Sequence, residues 1–246
     1  MVYIYEYIRT QGFEPIHFEE HYAHLDMLSV VYFSESLKIS QHDLRKAIKE
    51  SLRKGHFSPT SMNVVYVRYF ADGTFELESN YMIYSAFAMR ALRPKAHLLR
   101  LSGEMLTHNT SAKEALVEFY HTAQQQQNGA NNDVFIWADE KDEVVAIDGS
   151  PVIAVFEDEV RFSHKGSGVE FELAYDVVAN MNRNATKGAI NLAELAEAKE
   201  LLYISHEGIT AVKSFRPEPE SKPTSTLLFM DISAEKFASK IAEAEV

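Results

Sequence analysis

The chain contains no cysteine. That removes disulfides, thiolate metal sites and cysteine nucleophiles, and it agrees with a reducing compartment. Positive charge is also scarce: 24 lysines and arginines face 36 acids, a net charge of −12 at pH 7. With no basic excess to neutralise phosphates, nucleic acid is excluded as a partner. No apolar run approaches the length of a membrane span. The opening Met1 to Glu6 has neither a basic region nor a cleavage site, so a cytoplasmic protein without membrane association is expected. The GxSxG elbow, the P-loop, the dinucleotide fingerprint and the HExxH zinc motif are all missing. His17, His21 and His24 are closely spaced, but a solvated helix face accounts for them better than a metal site does.

What remains is 246 residues with 46% hydrophobic content, enough for one large core or two modest ones. The centre of the chain is a strand meander from Asp133 to Ser163, with short β-branched and aromatic runs separated by a charged turn at Glu140 to Asp142 and a break at Asp148 to Pro151. Helices are expected on both sides of it, from Ser111 to about Gln127 and from Phe171 to about Asn184. Upstream, Val2 to Arg9 and Phe13 to Phe18 read as a hairpin and Glu19 to Ser29 as a helix. Ser40 with Asp43 caps a second helix that stops at Gly55. Asn63 to Tyr69 and Thr74 to Glu78 form another hairpin, followed by β runs at Tyr81 to Met89 and His97 to Leu101, the latter ending at Ser102-Gly103. Ser111 and Glu114 stand in capping-box register, and Asn128-Gly129 ends that helix. Asn191 with Glu194 caps a later one, Glu200 to Ile204 and Ile209 to Phe215 are paired strands, and Arg216 to Thr224 reads as a surface loop. The change from hairpins to alternating helix and strand divides the chain into residues 1–100 and 101–246.

Three stretches resemble the class IV aminotransferases, the group of branched-chain and D-amino-acid aminotransferases and aminodeoxychorismate lyase. The first runs through Tyr5-Glu6-Tyr7-Ile8-Arg9, Gly12, Pro15-Ile16, Phe18-Glu19-Glu20-His21, Leu25 and Ser29. The second is the meander, with Ser150 at the start of the family's serine-asparagine segment. The third is Ala198 to Ser205 followed by Gly208 to Val212. The resemblance implies an α+β fold of two domains, like that of D-amino-acid aminotransferase, with pyridoxal phosphate as cofactor, a small amino-acid-like ligand, and a homodimer.

That chemistry needs a lysine to bind the cofactor covalently, an acid beside the pyridine nitrogen, and donors for the phosphate. By the resemblance, the lysine belongs at the entrance of the helix before the meander, between Thr107 and Ser111, and Lys113 is the only lysine nearby. In the first helical turn Lys113 either meets the positive end of the macrodipole, which favours the free amine, or points into water. The family's phosphate arginine falls on His24 and its pyridine glutamate on Ala146. Asp148 is the one substitute acid, or else an ordinary turn residue. For the phosphate, the resemblance leaves Gly168 with the amides of Gly166 to Gly168, Ser205, His206 and Thr210. Arg68 or His24 would take a substrate carboxylate. Two readings stay open: a homologue whose cofactor positions are largely replaced, which then serves as a binding or interaction protein, or an active pyridoxal phosphate enzyme working through Lys113.

Overall fold

In the computed structural model, the described residues are 2–84, 86–101, 107–128, 132–181, 183–217 and 225–245. They form two compact units. One comprises Met1–Ala86 with His108–Glu114 and Glu245; the other comprises Phe87–Thr107 with Ala115–Ala244 and Val246. The expected turn at Ser102-Gly103, Gly129 as a helix stop and most of the loop from Arg216 to Thr224 lie outside the described residues.

The first unit is a four-stranded antiparallel sheet in the order β2-β1-β3-β4, with two helices against it. Strand β1 (Tyr3–Gln11) pairs along its whole length with β3 (Met62–Phe70), and β3 pairs with β4 (Phe75–Tyr81). The expected partner over Phe13 to Phe18 shrinks to β2 (Glu14–Pro15). His17 turns into the left-handed region and Phe18 already begins α1 (Phe18–Phe33). Helix α1 buries Phe18, His21, Leu25, Leu28 and Ser29 at helical spacing. In α2 (Gln41–Lys54) the same spacing buries Leu44, Ile48 and Leu52, with Ser40 Oγ accepting the Asp43 amide at 3.1 Å as the cap and Gly55 at the end. Alternation along β1 puts Ile4, Glu6 and Ile8 on one face and Tyr3, Tyr5 and Tyr7 on the other. Ile4 and Ile8 enter the core with Leu25, Leu28, Val65 and Val67, so Glu6 is a carboxylate on a core-facing edge of the sheet.

The chain then builds the second unit around two five-stranded sheets. One has the order β14-β13-β5-β6-β7, from β5 (Lys95–Arg100), β6 (Val134–Ala138), β7 (Val144–Ile147), β13 (Ser214–Arg216) and β14 (Leu227–Leu228). The other, in the order β10-β9-β8-β11-β12, combines β8 (Val152–Val155), β9 (Val160–Ser163), β10 (Ala185–Gly188), β11 (Glu200–Ser205) and β12 (Gly208–Ala211). The expected meander is present as four strands, but the break at Asp148 to Pro151 is where the chain changes sheets. Every residue of β7 and β8 is buried, because these strands share a core that both sheets line, including Ile136, Val144, Ile147, Val152, Ala154 and Leu201. Helices α4 (Val169–Asn180) and α5 (Ile232–Ala244) pack together over β11 and β12 through Phe171, Ala174, Phe237 and Ile241.

Strand β5 is hydrogen-bonded between β13 and β6, and the first turn of α3 (Ser111–Asn128) groups with the first unit. Three expectations change. From Met82 to Arg90 there is no strand among the described residues, only a bridge from Met89 to Ile209, because this β-prone run has no full strand beside it. The helix expected after Asn191 is a single 3-10 turn, Glu194–Ala196, and the Glu194 carboxylate is held by the Asn191 amide and Arg161. Ile209 to Phe215 is two strands in different sheets.

Candidate functional site

The polar residues of the first unit gather where residues 109–110 run beside the start of β1. The Tyr5 amide donates to the Asn109 carbonyl at 3.0 Å, and Ile4 bridges Thr110. Thr110 Oγ1 accepts the Lys113 amide at 3.3 Å, so Thr110 caps α3 where Ser111 was expected to. Glu114 is drawn away from any capping box. Its carboxylate accepts the hydroxyls of Tyr3 and Tyr66, each at 2.5 Å, and of Tyr7 at 3.4 Å.

Glu6 is the centre of this cluster. It is 3% exposed; one carboxylate oxygen meets His21 Nδ1 at 2.9 Å, and the other meets His24 Nδ1 and the Asn109 side-chain amide, the latter at 3.3 Å. Burial pushes its pKa up, but the hydrogen bonds from the two imidazoles outweigh burial and bring it down to about 2. Glu6 is therefore an ion across the working range, and its charge is answered by His21 and His24.

Lys113 stands one link further along, 6% exposed. Its Nζ donates to Asn109 Oδ1 at 2.7 Å and lies 5.8 Å from the centre of the Tyr5 ring. Burial, only partly countered by the charges of Glu6 and Glu114, lowers its pKa from 10.5 to about 8. Of the two sequence alternatives, the one pointing Lys113 into water is overturned. Lys113 and His24 are thus brought together through Asn109 and Glu6, two residues that the sequence reading did not assign to the site. A signal for Glu6 existed: it shares the alternating face of Ile4 and Ile8, where an acid must find partners.

The candidates of the second unit sit in separate local structures. Asp148 adopts a left-handed turn at φ 48°. Its Oδ1 accepts the Phe135 amide at 2.8 Å, and its Oδ2 meets His121 Nε2 at 2.9 Å, a bond that raises the His121 pKa. Ala146 is buried opposite Trp137 across the β6–β7 ladder. Ser205 Oγ accepts the Glu207 amide at 3.2 Å inside its own turn. Thr210 is wholly buried opposite Tyr203, with no hydrogen bond to its hydroxyl among the described residues. Gly168 begins α4 at φ 121°, with open space where a Cβ would stand, and Glu170 and Glu172 occupy the first turn behind it. Arg68 is engaged by Glu76 at 3.1 Å and Glu78 at 2.9 Å. Among the described residues no group of three or more His, Asp or Glu side chains could hold a metal ion.

The arrangement of strands and helices is that of the class IV aminotransferases. A hypothetical aminotransferase from Mycobacterium tuberculosis, in its pyridoxal phosphate-bound form, superposes with a TM-score of 0.73 at 12% identity over 99% of this chain and 89% of that one. A branched-chain aminotransferase from Thermoproteus uzoniensis, solved with norvaline, gives 0.73 at 12% identity over 97% and 84%. A chain from Legionella pneumophila assigned as a 4-amino-4-deoxychorismate lyase gives 0.71 at 11% identity over 93% and 85%. At these identities the likeness is one of fold. No protein-family profile matches the sequence, and no curated protein sequence does either.

Proposed function

We propose that this chain is a class IV aminotransferase-like protein, of the aminotransferase and aminodeoxychorismate lyase type, that does not hold pyridoxal phosphate in that family's manner. It serves instead as a cytoplasmic, homodimeric binding protein for a small amino-acid-like ligand. The observation that carries this reading is the contact between His24 and Glu6. A phosphate at His24 would meet a buried carboxylate already seated on the imidazole, and like charges in a low-dielectric site repel strongly. The pyridine position supports the same reading. Ala146 offers no acceptor, and both oxygens of Asp148 are engaged by the chain's own groups. Thr210 has no exposed surface from which to donate, and two glutamates follow Gly168. The residues present do not fit the cofactor's phosphate and ring, so no reaction step is routed through it. No helix among the described residues is long and apolar enough to cross a membrane.

The second reading, a pyridoxal phosphate enzyme working through Lys113, is favoured by one observation: a buried amine with its pKa lowered to about 8. One experiment separates the two. Pyridoxal phosphate is added to the purified protein, and the visible spectrum is recorded before and after borohydride reduction, with Lys113→Ala alongside. A flat spectrum at saturating cofactor is expected. A yellow band that reduction traps and Lys113→Ala abolishes would establish the second reading. Light scattering of the same preparation reads the dimer.

A further inference from the structure

Asn109 and Lys113 stand four residues apart at the entrance of α3, the spacing that brings side chains together on one face of a helix. Asn109 is also fixed from outside the helix. Its backbone carbonyl accepts the Tyr5 amide at 3.0 Å, and its side-chain nitrogen donates to Glu6 Oε1 at 3.3 Å, which sets the orientation of the amide group. That orientation leaves Asn109 Oδ1 facing Lys113 Nζ at 2.7 Å. A carbonyl bond adds only about 1.2 Å, so the amide carbon lies within about 3.9 Å of the amine nitrogen. Tyr5, Glu6 and Lys113 are all buried, which keeps water from competing with the amine for that carbon.

We propose that Lys113 and Asn109 join in an intramolecular isopeptide bond, which the chain forms by itself. Neutral Nζ attacks Cγ of Asn109, a C–N bond forms, and the bond from Cγ to Nδ2 breaks. Nζ gives up one proton and Nδ2 gains one, so the leaving group is ammonia and the step balances with no oxidant, reductant or added reagent. Glu6 passes that proton across. Its Oε1 faces Nδ2, its charge acts on the amine, and His24 on the same oxygen shares the charge while the proton is in transit. Holding amine and amide in contact supplies the effective concentration that an exposed lysine and asparagine lack. Burial adds to this by lowering the Lys113 pKa to about 8, which raises the share of neutral amine. A joined Lys113 has no amine left for a carbonyl compound. The inference goes beyond the proposed function, since both reacting groups belong to the chain and no ligand takes part.

The test is mass spectrometry of the full-length protein after a day at pH 8 and 37 °C. The expected intact mass is lower than that of the sequence by one ammonia. Trypsin should then fail to cut after Lys113 and release residues 101–141, between Arg100 and the cut after Lys141, as one peptide short of ammonia. Its fragment spectrum should show no breaks between residues 109 and 113. Ammonia loss with normal cleavage after Lys113 marks an imide at some other asparagine and would overturn the proposal, as would an intact mass equal to that of the sequence. Lys113→Arg, which keeps the positive charge without the amine, and Asn109→Ala should each show the full sequence mass; ammonia loss that persists in either would show that these two residues are not the partners. Glu6→Gln, checked for folding by circular dichroism, should slow ammonia loss at least tenfold, and an unchanged rate would remove Glu6 from the step. Full mass in the wild type together with a flat pyridoxal phosphate spectrum would overturn this inference and leave the proposed function standing.

Discussion

The two units treat their polar candidates in opposite ways. In the first, Glu6, His21, His24, Asn109 and Lys113 form one chain of side-chain contacts, in which burial and neighbouring groups shift the pKa of Glu6 and of Lys113. In the second, Ser205 and Gly168 each close or open a local element by themselves, and Asp148 ties its turn to the Phe135 amide and to His121. A buried network concentrates electrostatic free energy and makes its members interdependent, whereas turn residues act independently and cost little to replace. The first pattern is where chemistry can reside, and the second is what ordinary turns look like. Substitutions can test that contrast directly.

The largest effect is expected at Glu6. Glu6→Gln removes the charge that answers two imidazoles in a buried site, and breaking such a pair typically costs roughly 3–5 kcal/mol. Urea unfolding at pH 7 should show a loss of that order, and a loss below about 1 kcal/mol would mean that the network carries little energy. The pH dependence gives a second readout. The folded pKa of Glu6 lies below its ordinary 4.5, at about 2. Its contribution is therefore fully present above pH 4.5 and is lost as the pH falls towards 2. The stability difference between wild type and Glu6→Gln should narrow over that window, by at most about 1.4 kcal/mol per pH unit. A difference that stays constant from pH 6 to pH 3 would show that the carboxylate is not held in its charged form.

Asp148 should come next. Asp148→Ala loses the acceptor for the Phe135 amide and the partner of His121, and it places a residue less suited to the left-handed region at φ 48°. A cost of roughly 2 kcal/mol is expected by urea unfolding. Asp148→Asn keeps the turn preference and most of the bonding, so it should cost less than about 1 kcal/mol. If the two variants were equally damaging, the negative charge itself would matter at Asp148, and the contrast between the units would weaken.

The ease with which these features can be read from sequence follows the same division. The Ser40–Asp43 cap and the buried stripe of α2 are legible because their partners lie within a few residues, where spacing is the signal. The Glu6 cluster joins residues 15, 18 and 103 positions apart, so its convergence depends on α1 lying over β1 and on residues 109–110 running beside it. Lys113 was legible as a candidate by position, but its burial was not, since a first-turn lysine faces solvent unless another part of the chain covers it. Strand pairing was misread for the same reason: β1 has a nearby neighbour in Glu14–Pro15 but takes its full-length partner from Met62–Phe70.

Ser205 should show the smallest effect, and it separates the readings most simply. Its hydroxyl oxygen accepts the Glu207 amide at 3.2 Å within a two-residue turn, and the Glu207 side chain is 41% exposed. In Ser205→Ala, water can take over that amide, so the loss should be only about 0.5 kcal/mol. If Ser205 also donated to a bound phosphate, the variant would weaken inorganic phosphate binding by a charge-assisted hydrogen bond, close to tenfold or more in affinity. Calorimetric titration of wild type and Ser205→Ala with inorganic phosphate should therefore give indistinguishable traces. A clear difference would restore an anion site at the end of β11, and the second unit would then carry a functional centre of its own beside its turns.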